Sequence, residues 1–143
     1  MSRYHKIVFA TDFSPASEKA AVRAHELAVA QGVELGVVHV APYAHPAYAA
    51  SQLPQGASVR DTIIDAANKK LDEWLKGLNI EVIHRWVKFG SPTEELVQLP
   101  RREGIDLLVI GTAGTGAIHA LMGSTALGVL MKAPCDVLVT TPA

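Results

Sequence analysis

The sequence contains only one cysteine, Cys135, among its 143 residues. An intrachain disulfide and a metal site built from several cysteines are therefore excluded. Aromatic residues are also scarce, at 6% of the chain, although 49% of the residues are hydrophobic. The core must then be formed mainly by small and branched aliphatic side chains, which is typical of helices packed on a sheet.

Excess charge of one sign is absent as well. The chain has thirteen lysines and arginines and fourteen aspartates and glutamates, which gives a formal net charge of −1. Basic residues occur in pairs such as Lys69-Lys70 and not in longer runs. Neither a nucleic acid nor a membrane surface is therefore predicted as a partner.

Long hydrophobic runs and a signal-peptide pattern are missing too. No apolar run reaches the length that a membrane span needs, and the N-terminal residues lead directly into a strand-like pattern. We therefore expect one domain over residues 1–143 and a cytoplasmic location.

Five strand-like apolar runs alternate with helical patterns along the chain. They cover residues 7–10, 35–40, 80–89, 106–111 and 136–141. Strands that are separated by helices pair in parallel through right-handed crossovers. The sequence thus predicts an α/β fold: a five-stranded parallel sheet, doubly wound, with helices on both faces. In such sheets a ligand binds at the carboxyl ends of the strands, where the winding reverses.

Capping signals mark the ends of the first and last predicted helices. Ser14 before Pro15 is typical of an N-cap and first helical position, and Gly32 is suited to a C-cap. Ser124 is predicted to be the N-cap of the last helix, over residues 124–132.

Two further predictions concern proline. Pro100 is expected to kink or stop its helix near Leu99, because proline lacks the backbone N–H of the helical ladder. Residues 41–57 are rich in proline, alanine and tyrosine without a clear period, and they are predicted to form a long loop.

The fourth apolar run ends at Gly111 and opens into a glycine-rich segment. Gly114 follows, and Gly123 precedes the last helical pattern. A strand, a glycine-rich loop and a helix N-terminus in this order form an anion site, because the glycines let the backbone approach and the helix start presents N–H groups. The pattern predicts a phosphate-bearing small molecule, above all a nucleotide.

Two common phosphate motifs are absent. A P-loop requires a Gly-Lys pair, which the chain lacks. A dinucleotide fingerprint would follow the first strand, with a carboxylate near the end of the second. Here Asp12-Phe13 follows the first strand, and Val40-Ala41 ends the second without a carboxylate.

Five segments, in order along the chain, carry a family resemblance. They are Lys6-Ile-Val-Phe-Ala-Thr-Asp-Phe-Ser14, Val37-Val-His-Val40, Gly90-Ser-Pro-Thr-Glu-Glu-Leu96, Gly104-Ile-Asp-Leu-Leu-Val-Ile-Gly-Thr112 and Ala133-Pro-Cys-Asp-Val-Leu-Val-Thr140. Together they resemble the universal stress protein family over essentially the whole chain. The resemblance implies a Rossmann-like fold of the adenine nucleotide alpha hydrolase type.

The nucleotide-binding branch of that family carries Gly-x-x-Gly, nine residues, then Gly-Ser or Gly-Thr. Gly111 and Gly114 match the first half of the pattern, and Gly123-Ser124 matches the second. Only eight residues separate the halves, and Thr115 stands where the family often has a cation. The loop is therefore one residue short and lacks a basic side chain.

The resemblance implies ATP as the ligand, with ADP or AMP as alternatives, and a Mg²⁺ ion carried by the nucleotide. The residues implied to hold adenine and ribose are Ala10, Thr11, Asp12 and Val40. Those implied to bring backbone close to the ribose and phosphates are Ile110 and Gly111, and those implied to cradle the phosphates are Gly114, Gly123, Ser124 and Thr125.

Structural explanations exist for the same residues. Gly111 and Gly114 could simply end a strand and form its turn. Asp12 could hydrogen-bond the N–H groups of the turn before Ser14.

The last strand is expected to form a homodimer. In the family it lies at a sheet edge and pairs with its twofold mate, and here the edge residues include no charge or proline that would block pairing. They are Val137, Leu138, Val139 and Thr140.

No catalytic constellation is visible, so the expected function is a dimeric stress-response sensor or regulator and not an enzyme, with slow ATP hydrolysis left open. One alternative is a stress adaptor that binds no nucleotide and works through an unknown protein partner. Another is an ATP-consuming enzyme of related architecture.

Overall fold

The computed structural model describes residues 3–41, 59–112 and 120–141, with side chains described from residue 124 onward in the last range. The described residues form five strands and four helices in alternation. In chain order these are β1 (Lys6–Ala10), α1 (Pro15–Gln31), β2 (Glu34–Ala41), α2 (Val59–Leu78), β3 (His84–Phe89), α3 (Pro92–Glu103), β4 (Leu107–Gly111), α4 (Ala120–Lys132) and β5 (Asp136–Thr140).

The strands form one parallel sheet in the order β3-β2-β1-β4-β5. Ile7 of β1 lies beside Leu35 of β2 on one side and Leu107 of β4 on the other. The chain first moves outward from β1 to β3 and then returns to β4, so the winding reverses between β1 and β4. The predicted five-stranded, doubly wound parallel sheet is confirmed.

Both faces of the sheet are covered by helices. Alternate residues of β1 point to opposite faces, so that Phe9 packs toward α1 and α2 while Val8 packs toward α3 and α4. Neither side chain is exposed to solvent. The buried face of α1 is built of alanines, which let the helix approach the sheet closely.

Both predicted caps of α1 are confirmed. The Ser17 N–H donates a hydrogen bond to the Ser14 hydroxyl (3.3 Å), which satisfies one of the free N–H groups of the first turn. Gly32 ends the helix in the left-handed conformation (φ 65°), which costs glycine no steric strain.

Pro100 does not stop α3 as the sequence predicts. The helix continues through Pro100 to Glu103 and ends at Gly104, which has a φ of 67°. Pro100 is buried together with Leu99. Burial of the proline ring thus offsets the missing backbone hydrogen bond, which sequence pattern alone does not show.

The bounds of two other elements also differ from the prediction. β3 begins at His84. Asn79 and Ile80, which follow the end of α2 at Leu78, form its C-terminal turn, since the Ile80 N–H donates to the Leu75 carbonyl oxygen (3.1 Å). α4 begins at Ala120, so Ser124 lies inside the helix and is not its N-cap. Alanine, leucine and methionine in the first three positions of α4 are strong helix formers, which explains the earlier start.

The edges of the sheet are β3 and β5. All four residues predicted for the dimer edge lie in β5 and are half-buried, namely Val137, Leu138, Val139 and Thr140. Of the predicted loop at 41–57, only Ala41 lies within the described residues, where it ends β2.

Candidate functional site

The carboxyl ends of β1, β2 and β4 meet at the point where the winding of the sheet reverses. Thr11 and Asp12 leave β1, Val40 lies near the end of β2, and Ile110 with Gly111 ends β4. The structure therefore brings together six residues that were predicted from different segments: Ala10, Thr11, Asp12, Val40, Ile110 and Gly111. Such a reversal point is where doubly wound sheets bind ligands.

The segment after β1 forms a tight, hydrogen-bonded turn. The Thr11 N–H donates to the Val38 carbonyl oxygen (2.9 Å), and the Phe13 N–H donates to the Thr11 hydroxyl (2.9 Å). Thr11 is buried, with 3% of its surface exposed. Its side chain therefore holds the turn and does not point outward to a ligand.

Asp12 connects the turn to the first turn of α1. One carboxylate oxygen, Oδ1, accepts hydrogen bonds from the Ser14 N–H (3.0 Å) and the Ser17 hydroxyl (2.5 Å). The Asp12 N–H donates to the same Ser17 hydroxyl (3.0 Å). The structural explanation of Asp12 is thus correct for Oδ1. Neither of these two hydrogen bonds uses Oδ2.

These contacts shift the pKa of Asp12. Partial burial acts to raise the pKa, but the hydrogen bonds from Ser14 and Ser17 together outweigh burial and leave the pKa below its ordinary value. Asp12 is therefore a carboxylate at neutral pH. It suits a hydroxyl donor such as a sugar and repels a phosphate.

Phe13 adopts a left-handed backbone conformation (φ 68°), which is uncommon for a bulky residue. Its ring centroid lies 4.6 Å from that of His39 and 5.9 Å from the Trp74 ring, and Lys70 Nζ lies 4.8 Å above the Phe13 ring. The strain of the backbone is therefore held by an aromatic cluster. The sequence did not predict this role of Phe13, because the residues that contact its ring are distant in the chain and form no local pattern with it.

A cavity of about 240 Å³ opens beside this cluster, between the end of β2 and α2. Phe13, His39, Ala41 and Lys70 line it together with three apolar residues of α2, namely Ile63, Ala66 and Ala67. His39 Nδ1 lies 2.7 Å from the Thr11 carbonyl oxygen, so Nδ1 carries the proton and donates it to that oxygen. The cavity combines aromatic, apolar and cationic walls next to Asp12.

Gly111 is required by packing. A Cβ atom built on it would lie 2.3 Å from the carbonyl oxygen of Ala16 in α1, closer than real Cβ contacts come. The structural explanation of this glycine is therefore sufficient without a ligand, since any side chain here would push α1 away from β4.

The second half of the glycine pattern lies in α4. Gly123, Ser124 and Thr125 lie far enough into α4 for their N–H groups to donate to carbonyl groups four residues earlier. Only the N–H groups of the first helical turn lack such an acceptor. Ser124 is exposed, whereas Thr125 is buried. Gly114 lies outside the described residues. The phosphate contacts of Gly114, Gly123, Ser124 and Thr125 stay a prediction.

The described residues do not bring three or more histidine, cysteine, aspartate or glutamate side chains together in a way that could hold a metal ion. They likewise form no helix with the length and apolar content of a membrane span.

A doubly wound parallel sheet with its candidate site at the reversal point defines a Rossmann-like α/β protein. The family model described as the Universal stress protein family matches residues 3–141. The chain therefore belongs to the universal stress protein family, and the predicted resemblance is confirmed.

Similarity to individual members extends over nearly the whole chain. Universal stress protein A homolog 2 of Coxiella burnetii is 32% identical over 139 residues, covering 96% of this chain and 95% of that protein. A universal stress protein solved in complex with cAMP is 25% identical, with a TM-score of 0.67, covering 99% of this chain and all of the other. UspA from Lactobacillus plantarum, 21% identical over 97% of this chain and 99% of its own, shares the fold with a TM-score of 0.72.

Proposed function

We propose that this universal stress protein binds an adenine nucleotide, namely ATP or alternatively ADP or AMP, at the carboxyl edge of its sheet. The observation that carries the proposal is the convergence of Asp12, Val40 and Gly111 at the reversal point between β1 and β4. The cAMP complex of a protein 25% identical to this chain supports an adenine nucleotide as the ligand class.

Asp12 is the group that we assign to the ribose. Its Oδ1 is occupied by Ser14 and Ser17, while Oδ2 can accept a hydrogen bond from a sugar hydroxyl. A carboxylate next to a phosphate would be repelled. The phosphates therefore lie toward α4, where the first helical turn supplies N–H groups and the positive end of the helix dipole.

A Mg²⁺ ion would be carried by the phosphates of the nucleotide. Mg²⁺ is commonly held by substrate phosphates, waters and one or two carboxylates, so a cage of protein ligands is not needed. The predicted phosphate residues Gly114, Gly123, Ser124 and Thr125 remain part of this proposal.

The nucleotide would control a cytoplasmic homodimer that acts as a sensor or regulator in a stress response. The hydroxyl of Ser17 donates to the Asp12 carboxylate, but Ser17 is fully buried and holds the turn, so we do not propose an enzyme, and slow ATP hydrolysis would be incidental. Any protein partner would bind the nucleotide-bound and nucleotide-free forms with different affinity.

The first test is denaturing extraction of freshly purified protein, with mass spectrometry of the released small molecules. Stoichiometric ATP, ADP or AMP supports the proposal. Equilibrium dialysis with radiolabelled ATP then compares Asp12→Asn with the control Asp65→Asn. Asparagine can keep both Oδ1 hydrogen bonds, so Asp12→Asn should not unfold the protein. It removes the charge and replaces the Oδ2 acceptor with an NH2 donor, so binding should weaken about 5- to 20-fold. Asp65, exposed on α2, should have no effect.

The second candidate function is a dimeric stress adaptor that binds no nucleotide and works through a protein partner. The contact of Gly111 with Ala16 favours it, because this contact explains the first glycine of the pattern without a ligand. An empty extract, together with no retention of millimolar Mg-ATP, would leave the adaptor as the better proposal.

A further inference from the structure

A groove of about 530 Å³ runs between α1 and β5, on the face of the sheet that α1 covers. Its apolar walls are formed by leucine side chains from α1, β4 and β5, and Tyr4 also contributes to the lining. The described residues that line it are Tyr4, Lys19, Arg23, Leu27, Leu107, Leu138, Val139, Thr140 and Thr141. The volume lies in the range of small-molecule pockets.

The polarity of the groove changes along its length. α1 runs antiparallel to the strands, because it returns the chain from the carboxyl end of β1 to the amino end of β2. Lys19, near the start of α1, therefore lies toward the end where Thr140 and Thr141 follow one another. Leu27, two turns later, lies toward Leu107 at the start of β4. One end of the groove is cationic and hydroxylic, and the other is apolar.

The cationic end is formed by two residues of α1. Lys19 and Arg23 are spaced four residues apart and so lie on the same side of the helix, and no acidic side chain is among the described residues that line the groove. Among the residues that the structure describes, Arg23 forms no ion pair. The charge of this groove therefore complements an anion.

The hydroxyl of Thr140 adds a second observation. Its Oγ1 is buried and has no hydrogen-bond partner within the described part of the chain. Buried hydroxyls without a partner are rare in folded proteins, because desolvation is then not compensated. Thr140 thus offers an unused polar group at the same end of the groove as Lys19.

We propose that this groove binds a small amphipathic anion, a molecule with one carboxylate and an unbranched apolar body. The carboxylate lies between Lys19 and Arg23, and the apolar body lies along Leu27 and Leu138. Six residues of helix, from the level midway between Lys19 and Arg23 to Leu27, span about 9 Å, so a saturated chain of about ten carbons would pass Leu27 and reach slightly beyond it.

The groove lies one strand away from the proposed nucleotide site, because Thr140 at its cationic end pairs with Gly111 of β4. Asp12 and the cavity beside Phe13 lie at the ends of β1 and β2, whereas the groove follows β5. The groove shares Leu138, Val139 and Thr140 with the proposed dimer edge, but the dimer would use the outer backbone edge of β5 and the anion the face toward α1. Binding of the anion does not rest on nucleotide binding.

The probe for this site is sodium decanoate at submicellar concentration, measured by calorimetry and by amide chemical shifts. We expect one saturable site, with shifts at Leu27, Leu138 and Thr140 and none at Asp12. Arg23→Gln and Lys19→Gln should each weaken binding about 3- to 10-fold, because each removes one cation from the carboxylate. The control Arg101→Gln, at an exposed position of α3, should not change it.

A second ligand of similar chain length tests whether the affinity depends on the charge of the ligand or only on its apolar chain. Decyltrimethylammonium has the same chain and the opposite charge, so it should bind at least 10-fold more weakly than decanoate. Equal affinities, affinity unchanged in Arg23→Gln, or the absence of saturable binding would overturn the proposal. Binding restricted to a monomeric variant would overturn it too, since a second copy would then be the occupant of the groove. Circular dichroism of each variant confirms that the fold is intact.

Discussion

Gly111 at the end of β4 lies so close to Ala16 of α1 that a Cβ atom built on the glycine would come within 2.3 Å of the Ala16 carbonyl oxygen. The first helix is thereby positioned against the strand on the other side of the reversal point, and the N-terminus of α1 is held beside the candidate site. A glycine that resembles a phosphate-binding residue is thus also a packing residue.

Gly111→Ala should destabilise the fold by about 1–3 kcal/mol whether or not nucleotide is present, because the backbone of α1 would have to move away from β4. Urea unfolding measures the change. Gly77→Ala is a matched control: a Cβ there meets nothing within 4 Å, and alanine is the better helix former, so stability should rise by about 0.5–1 kcal/mol. A Gly111→Ala protein as stable as the wild type would disprove the packing role.

Much of the fold could be predicted from the sequence, because continuous apolar runs separated by helical patterns allow few arrangements. Ser14 and Gly32 were predicted correctly, since a cap is a local interaction. Of the two outcomes predicted for Pro100, a kink or a stop, the stop was wrong, because whether a proline ends a helix depends on its tertiary surroundings.

The candidate site was predicted less completely, because several of its contacts join residues that are distant in the sequence. Asp12 could be found from its position after an apolar run. The left-handed backbone of Phe13 and the approach of Ala16 to Gly111 depend on residues that are distant in the chain, so no local pattern contains them.

The acid stability of the turn should depend on Ser17. The folded pKa of Asp12 is below the unfolded value of about 3.9, so this carboxylate stabilises the fold above that value, and the contribution is lost as the pH falls through the folded pKa. Ser17→Ala removes the hydroxyl that donates to Oδ1 and should raise the pKa of Asp12 toward its ordinary value. Carboxyl carbon NMR titration measures this shift.

Ser124→Ala is the control for that titration, because Ser124 is exposed on α4 and should leave the pKa of Asp12 unchanged. Ser17→Ala should also cost about 1 kcal/mol at neutral pH, since the Asp12 N–H loses its acceptor. If Asp12 titrates at the same pH in both variants, the Ser17 hydrogen bond does not set its pKa.

Phe13→Asn should destabilise the protein by about 2 kcal/mol, less than a fully buried phenylalanine would cost. Asparagine tolerates the left-handed conformation, so the loss reports on the ring contacts with His39 and Trp74 and not on the backbone. In a Trp86→Phe background, the emission of Trp74 should shift to longer wavelength. Phe13→Tyr keeps the ring and should show neither effect, and an unshifted Trp74 in Phe13→Asn would contradict the cluster.

Val139→Pro should abolish the proposed homodimer while leaving the subunit folded. The Thr112 N–H donates to the Thr140 carbonyl oxygen (3.0 Å), so Thr140 faces β4 and the neighbouring Val139 N–H faces the open edge. Proline at an outward-facing edge position removes only that N–H, which a pairing strand of a second copy would need. Val139→Ala keeps the N–H and is the control. Sedimentation velocity should give a dimer for the wild type and Val139→Ala and a monomer for Val139→Pro. A dimeric Val139→Pro would show that the subunits associate through another surface, and a monomeric wild type would remove the dimer itself.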